Sequence, residues 1–243
     1  MTGRPVSAVL PSALRAWLGV IAALAALAVV VLGVLYAGHS RPGTVDGWIF
    51  PPTADSVRPP WRGVALATDF LGEPGGAVVL VVAVVAGCLL LRCPRAAVSA
   101  VAGAGVAVGV ATLLKFLVGR TIHGDNLSYP SGHTAFVTAL ALVMALLAAG
   151  RLGLGRTAGM LLVLAAAVVA GAAMGWAQVA LGAHYPTDVL GGWCTALAVT
   201  PATAWLVDRT ADRLHARTYG RPGDRAADGP GDRTADFGGR ERR

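Results

Sequence analysis

Residues 16–37 read AWLGVIAALAALAVVVLGVLYA, a run without a single charged side chain. An α-helix needs about 20 apolar residues to cross the hydrocarbon core of a bilayer, and this run supplies them. Further apolar runs follow at roughly 76–92, 97–118, 132–150, 157–180 and 187–207. Each run is expected to be helical, because unpaired backbone groups are costly in lipid. The sequence therefore predicts an all-α integral membrane bundle of six transmembrane helices.

The overall composition agrees with a membrane protein. The 243 residues are 55% hydrophobic and 14% charged, with a net charge of +7, whereas a soluble domain carries about 25% charged residues. The charge comes mostly from arginines in short flanks and in the C-terminal tail, which favours contact with anionic lipid over nucleic acid. The cysteines, Cys88, Cys93 and Cys194, lie in or beside apolar runs without metal-ligand spacing to histidine. We interpret them as packing residues.

The arginines between the runs predict the orientation. They fall on one side of the membrane if both termini are cytoplasmic. These arginines are Arg4, Arg15, Arg92, Arg95, Arg151, Arg156, Arg209, Arg213 and Arg217. The predicted division is a cytoplasmic N-terminal segment 1–14, a membrane domain 15–210 and a disordered basic cytoplasmic tail 211–243. The predicted outer loops are 38–75, 119–131 and 181–186.

The 38–75 loop is rich in proline and carries Trp48, Phe50, Trp61 and Phe70. Aromatic residues beside a span commonly anchor at the headgroup level, and the sequence allows a short interfacial helix around 61–71. The same pattern is compatible with a loop through which lipid enters the protein, but aromatic residues at this place more commonly only anchor the chain at the membrane surface.

Two groups of polar residues precede or end apolar runs. Lys115 lies near the outer end of the third run, where a lysine by itself is explained by snorkelling to the interface. Pro130-Ser131-Gly132-His133 leads into the fourth run. Ser131 can cap a helix whose exposed N–H groups bind a phosphate oxygen, with His133 beside it, but the same tetrapeptide is also an ordinary helix start.

The sixth run begins with Gly182-Ala183-His184-Tyr185-Pro186-Thr187-Asp188. His184 and Asp188 are four residues apart, so one helical turn would bring the carboxylate to the imidazole. A carboxylate on one ring nitrogen fixes the tautomer and leaves the other nitrogen free to attack an electrophile. Because Lys115, His133 and this pair all fall at the outer ends of their runs, we predict a functional site where these ends meet.

These residues resemble the signature of the type-2 phosphatidic acid phosphatase superfamily, which reads Lys-x6-Arg-Pro, Pro-Ser-Gly-His and Ser-Arg-x5-His-x3-Asp. The second motif is intact at 130–133, and the His-x3-Asp half of the third is intact at His184 and Asp188. The chain departs from the family pattern in two of the three motifs. Ile122 stands where the first motif has arginine, with Arg120 nearby, and Ala177-Gln178 replaces the Ser-Arg pair.

The resemblance implies a phosphatase that acts on a lipid phosphate or pyrophosphate at the outer membrane surface. It implies that His184 attacks phosphorus and becomes a phosphohistidine, that Asp188 orients it, and that His133 protonates the leaving oxygen. The residues expected to bind the phosphate oxygens are Lys115, Arg120, Ser131, Gly132 and Gln178. No metal ion and no other cofactor is expected, because these cations and donors neutralise the phosphate and the sequence shows no carboxylate cluster for magnesium.

The resemblance leaves the substrate open among a polyprenyl phosphate or pyrophosphate, phosphatidic acid and phosphatidylglycerol phosphate. The heavy use of Ala, Val, Gly and Arg is typical of a GC-rich bacterial genome, which favours a plasma-membrane protein that serves the cell envelope. The oligomeric state is open. Two alternatives remain, a phosphotransferase that passes the phosphate to another lipid hydroxyl and a degenerate relative that binds lipid phosphate without turnover. A transporter would need polar groups near the bilayer midplane and not at one face.

Overall fold

The computed structural model describes residues 8–218, most of which are helical. Within this range there are eight α-helices and one short β-hairpin. The helices are α1 (Arg15–Leu35), α2 (Thr44–Ser56), α3 (Trp61–Phe70), α4 (Pro74–Leu90), α5 (Pro94–Val118), α6 (Gly132–Arg151), α7 (Arg156–Ala180) and α8 (Pro186–Thr218). The hairpin pairs β1 (Thr121–Ile122) with β2 (Asn126–Leu127) in antiparallel register.

Each of the six predicted apolar runs coincides with one long helix, namely α1, α4, α5, α6, α7 or α8. Five helices are individually long and apolar enough to cross a bilayer. The shorter α4 reaches that length only together with α3, from which it is bent by 67°. The predicted all-α membrane bundle is therefore confirmed, with five or six candidate spans among the described residues.

Helix α6 packs against both α5 and α7, and the N–H before its first residue is bonded to the carbonyl of Asp188 at the start of α8. Two thirds of its apolar stretch (67%) is buried, against 22% for α1. Other helices of the bundle expose large apolar side chains, such as Val30, Leu90 and Phe116. In water such a surface would be unfavourable, but in a bilayer it is the surface that meets the acyl chains.

Glycines allow α7 and α8 to approach closely. A β-carbon on Gly171 would overlap the indole of Trp193, and one on Gly175 would overlap Val189. The Trp193 Nε1 group then donates a 2.8 Å hydrogen bond to the carbonyl of Ala167. Small residues at such contacts are the usual means by which membrane helices gain packing energy, because lipid gives no hydrophobic drive for their association.

The segment 38–75 contains two helices where one short helix was expected. Helix α3 occupies the position of the expected helix around 61–71. Helix α2 was not expected, because it contains Pro51 and Pro52 and proline disfavours a helix interior. It begins where the Asp46 carboxylate accepts a 3.2 Å hydrogen bond from the N–H of Gly43, a satisfied helix start that local composition did not reveal.

Both ends of the described chain differ from the expected division at 14/15 and 210/211. Asp208 accepts 2.9 Å hydrogen bonds from the N–H groups of Val9 and Leu10, so this part of the N-terminal segment is packed in the bundle. Helix α8 continues to Thr218, so residues 211–218 are helical although they were expected in a disordered tail. The remainder of both terminal segments, 1–7 and 219–243, lies outside the described residues.

Candidate active site

His184 lies in the short turn between α7 and α8, and only 7% of its surface is exposed. Its Nδ1 lies 3.8 Å from Oδ2 of Asp188, one helical turn further along the chain. This is an ion-pair distance and too long for a hydrogen bond. The same Asp188 oxygen accepts a 3.1 Å hydrogen bond from the N–H of Tyr185. The predicted pairing of imidazole and carboxylate is thus present, with Nδ1 facing the carboxylate.

The surroundings of His184 favour its neutral form. Burial lowers the pKa of His184 below its usual value of 6.5. Asp188 acts in the opposite direction, and electrostatic interaction with Lys115 and His133 lowers the pKa further. A neutral imidazole has a free lone pair on the nitrogen that does not face the carboxylate. The site therefore presents a ring that can act as a nucleophile near neutral pH.

Asp188 is held from the other side by Arg120. The guanidinium donates 2.6 Å hydrogen bonds from Nη1 to Asp188 Oδ1 and to the hydroxyl of Thr187. Its Nη2 donates at 2.6 Å to Asp46 of α2, whose carboxylate also accepts from Thr187. The Arg120 side chain is completely buried. Its charged carbon also lies 4.1 Å from the centre of the Tyr36 ring.

Arg120 therefore differs from the free phosphate-binding cation that the sequence led us to expect. Both terminal nitrogens are bonded to protein groups, and two carboxylates balance the charge. Nε has no hydrogen-bond partner among residues 8–218, so it is a donor still available to a ligand. Ile122, at the position of the family arginine, is a buried residue of β1.

The Pro-Ser-Gly-His segment begins α6 as expected, and the structure specifies what each group does. The Ser131 hydroxyl caps the helix by accepting a 3.4 Å hydrogen bond from the N–H of Thr134. The Ser131 N–H is bonded at 2.9 Å to the carbonyl of Asp188, so it joins the second motif to the third. Within the described chain, the N–H groups of Gly132 and His133 remain available for an anion at this helix start.

Lys115, the single lysine of the chain, lies in the last turn of α5. It is close enough to His184 for its charge to lower the pKa of that ring. It forms no ion pair with any residue of the part that the structure describes. It is therefore the cation of this cluster whose charge is not balanced by a bonded carboxylate.

Gln178 is buried in α7 with 1% of its surface exposed. Its Nε2 donates a short hydrogen bond to Oδ1 of Asp69 and contacts the sulfur of Met174 at 3.8 Å. Both amide hydrogens are thereby engaged. Gln178 was expected to bind phosphate, and the structure instead pairs it with a carboxylate from α3.

Asp69 and Glu73 both face His133. Oδ1 of Asp69 and Oε1 of Glu73 each lie 3.6 Å from Nε2 of His133. The three groups lie within 4.8 Å of one another, a spacing that a divalent cation could bridge. The sequence was expected to show no carboxylate cluster, yet Asp69 and Glu73 lie four residues apart across the turn between α3 and α4, and folding places His133 against both.

An apolar groove runs from His133 between α4, α5 and α6, with a volume of about 540 Å³. Its walls are mostly small or aliphatic residues, including Val81, Gly105 and Val108. The groove joins the polar cluster to the lipid-facing part of the bundle. A molecule with a polar head and an apolar chain fits such a site.

Comparison with known proteins identifies the family. The model of the PAP2 superfamily matches residues 14–212 of the chain. The chain belongs to the PAP2 superfamily. This confirms the family predicted from the motifs and, with it, the predicted class of enzyme, a phosphatase. No curated protein sequence matches the chain.

Two solved structures are similar to this PAP2 protein. A transmembrane PAP2-type phosphatidylglycerolphosphate phosphatase from Bacillus subtilis has a TM-score of 0.62 and 22% sequence identity, with 79% of this chain and 96% of that chain covered. LpxE from Aquifex aeolicus has a TM-score of 0.49 and 16% identity, with 68% and 96% of the two chains covered. At this identity the first likeness supports the shared membrane fold.

Three acidic residues of this PAP2 site were not found by sequence reasoning. Asp46, Asp69 and Glu73 lie in the 38–75 segment, which its prolines and tryptophans marked as an aromatic anchoring loop. A buried or half-buried carboxylate in a loop beside the membrane is a signal for a bonded partner. The sequence shows neither its burial nor its partner.

Proposed function

We propose that this PAP2 protein hydrolyses the phosphate ester of a membrane lipid through a phosphohistidine formed on His184. The observation that carries the proposal is the 3.8 Å approach of Asp188 to Nδ1 of a buried His184, beside His133 and Lys115. A buried histidine oriented by a carboxylate, with a second histidine and a cation close by, has the parts required for nucleophilic catalysis.

The proposed reaction has two displacements. In the first, Nε2 of His184 attacks phosphorus in line, the phosphorus–oxygen bond to the lipid breaks, and His133 donates a proton to the leaving oxygen. In the second, water attacks the phosphohistidine and gives its proton to His133. The phosphorus–nitrogen bond breaks, which releases phosphate and regenerates neutral His184.

The phosphate charge would be met by donors around this line of attack. Lys115 supplies an unbalanced positive charge, and the N–H groups of Gly132 and His133 lie at the positive end of α6. Nε of Arg120 is a further donor. Gln178 would act through its contact with Asp69, because its amide hydrogens are already engaged. The Ser131 hydroxyl accepts hydrogen bonds from Thr134 and keeps its own hydrogen for a phosphate oxygen. The proposed displacement uses no metal ion.

A lipid substrate fits the groove that opens at His133, because its apolar chain would lie between α4, α5 and α6 while its phosphate reaches the polar cluster. The similar phosphatidylglycerolphosphate phosphatase makes that lipid the first candidate, with phosphatidic acid and a polyprenyl pyrophosphate beside it. The arginine distribution favours a site at the outer surface of the plasma membrane.

The test is phosphate release by the full chain purified in detergent, with these three lipids and with or without EDTA. We expect release that persists in EDTA and that falls by at least about 1000-fold in His184→Ala, the scale of removing a catalytic nucleophile. His39→Ala is the matched control, since His39 is an exposed histidine after α1. A fully active His184→Ala protein would contradict the proposal. A phosphorylated acceptor lipid in place of free phosphate would identify a phosphotransferase.

A further inference from the structure

The environment of His133 indicates which leaving group the site accepts. A general acid must lie within hydrogen-bond reach of the leaving oxygen. Groups that surround this acid therefore also surround the part of the substrate that departs. In this protein those groups are Asp69 and Glu73, both 3.6 Å from Nε2 of His133. This reasoning rests on the proposed hydrolysis, in which His133 is the acid.

The protein holds the two carboxylates in this place. Asp69 is anchored by the buried amide of Gln178, which fixes one oxygen of the carboxylate. Glu73 immediately precedes α4 but makes no capping hydrogen bond with it, and its side chain is 53% exposed. The turn between them fits closely around the acid, because a β-carbon on Gly72 would overlap the ring of His133. This packing places Asp69 and the Gly72 turn against the ring of the proposed acid, with Glu73 at the solvent-exposed edge of the site.

Ionised carboxylates accept hydrogen bonds and cannot donate them. A leaving group that is a plain hydrocarbon would remove water from Asp69 and Glu73 without replacing its hydrogen bonds, which is unfavourable. A leaving group with a hydroxyl or ammonium group next to the ester oxygen would donate to them. The cluster therefore distinguishes substrates by the donors of the departing alcohol.

We infer that Asp69 and Glu73 are specificity-determining residues that select lipid phosphates whose leaving group carries a hydrogen-bond donor beside the ester oxygen. The donor is a hydroxyl or an ammonium group, and the two cases share the same chemistry. In this arrangement, Gln178 positions Asp69 toward the leaving group. The glutamine at the family arginine position then contributes to selection of the alcohol and makes no direct contact with phosphate.

Three synthetic substrates measure the effect of a hydrogen-bond donor on the leaving group. They are 1-alkyl-glycerol 3-phosphates of equal chain length that carry a hydroxy, a methoxy or an amino group at carbon 2. We expect the full-length protein to hydrolyse the hydroxy or the amino compound with a kcat/KM at least about tenfold above that of the methoxy compound, the scale of one hydrogen bond to a charged group. The hydroxy and amino arms distinguish a polyol from an amine as the preferred donor.

Variants of Asp69 and Glu73 test whether these carboxylates cause the preference for a substrate with a donor. Glu73→Gln and Asp69→Asn should reduce the ratio of kcat/KM for the hydroxy compound over the methoxy compound to less than about threefold. Each removes the negative charge and replaces one acceptor oxygen by an amino group, but keeps the side-chain shape. Because the readout is a ratio, a change in rate that is common to both compounds cancels. Asp55→Asn, at an exposed carboxylate of α2, should keep the preference and serves as the control for lost negative charge. A retained preference in both cluster variants would overturn the inference.

Three further outcomes are separable. Equal rates with all three compounds would overturn the inference and leave the proposed hydrolysis intact. Activity that depends on added divalent cation and disappears in EDTA would assign the cluster to a cation and overturn its role toward the leaving group. No release by the unaltered protein from these compounds or from any lipid phosphate would overturn the hydrolase, and this inference with it.

Discussion

Arg120 holds the carboxylate of Asp188 through a 2.6 Å hydrogen bond, and both side chains are completely buried. Because the same guanidinium also binds Asp46, it joins helix α2 to the start of α8. Asp188 in turn faces His184 with its other oxygen. The orientation of the proposed nucleophile, His184, thus depends on the buried ion pairs of Arg120 with Asp46 and Asp188.

Arg120→Met should destabilise the protein strongly. It would leave Asp46 and Asp188 buried without their cation, and breaking a buried pair in this way costs about 3–5 kcal/mol. The measurement is thermal unfolding in detergent, with Arg62→Met at an exposed arginine of α3 as the control. If Arg120→Met keeps the melting temperature and raises only the KM for phosphate, Arg120 binds substrate and does not stabilise the network.

The pH dependence should report the neutral form of His184. Its pKa lies below the usual 6.5 because the ring is buried, so the nucleophile is lost as pH falls through that lowered value. We expect the acidic limb of the kcat profile below pH 6.5. Lys115→Met should move this limb to higher pH, because the lysine charge contributes to the lowered pKa.

The unaltered protein and Lys115→Met are compared with the same substrate. Ionisation of the substrate then affects both pH profiles equally and does not contribute to the difference between them. Arg62→Met again provides the control for a lost positive charge away from His184. An acidic limb at the same pH in Lys115→Met would contradict the assignment of that limb to His184.

The helices were predictable because hydropathy is a local property. Each long helix is an apolar run, and its ends agree with the sequence prediction to within a few residues, except at the C-terminal end of α8. His184 and Asp188 were predictable as a pair because their spacing of four residues has a direct meaning on a helix.

The acidic partners were not predictable in this way. Asp46 and Arg120 are separated by 74 residues, and Asp69 and Gln178 by 109. No local spacing connects such pairs, and their pairing exists only after the loop segment packs over the bundle end. The phosphate-binding roles expected for Arg120 and Gln178 came from the family pattern. That pattern includes neither Asp46 nor Asp69, the carboxylates that these two side chains bind.

The groove at His133 should matter for lipids and not for small phosphates. A β-carbon at Gly105 meets no atom within 4 Å, so Gly105→Leu should be accommodated and should fill part of the groove. We expect kcat/KM to fall by at least about tenfold for a long-chain lipid phosphate, since several methylene groups would lose their burial at about 0.8 kcal/mol each. Hydrolysis of p-nitrophenyl phosphate should be unchanged.

Gly87→Leu is the matched control for the groove. Gly87 is a glycine of α4 with equally open surroundings, and it does not line the groove. Equal losses in Gly105→Leu and Gly87→Leu would mean that helix packing is responsible. Unchanged lipid hydrolysis in Gly105→Leu would place the acyl chain elsewhere.

Gln178→Arg separates a weakened phosphate contact from an anchor for Asp69. Since Gln178 is buried and bonded to Asp69, an arginine there should pair with that carboxylate and change the KM for lipid phosphate by less than about threefold. In an Asp69→Asn background the same arginine has lost its ion partner, and KM should fall by about tenfold as its charge becomes available to phosphate. The unaltered protein, Gln178→Arg, Asp69→Asn and the double variant form a double-mutant cycle, in which the KM is measured with one lipid. If Gln178→Arg alone lowers KM as much as the double variant does, the glutamine occupies a phosphate-binding position and Asp69 does not control it.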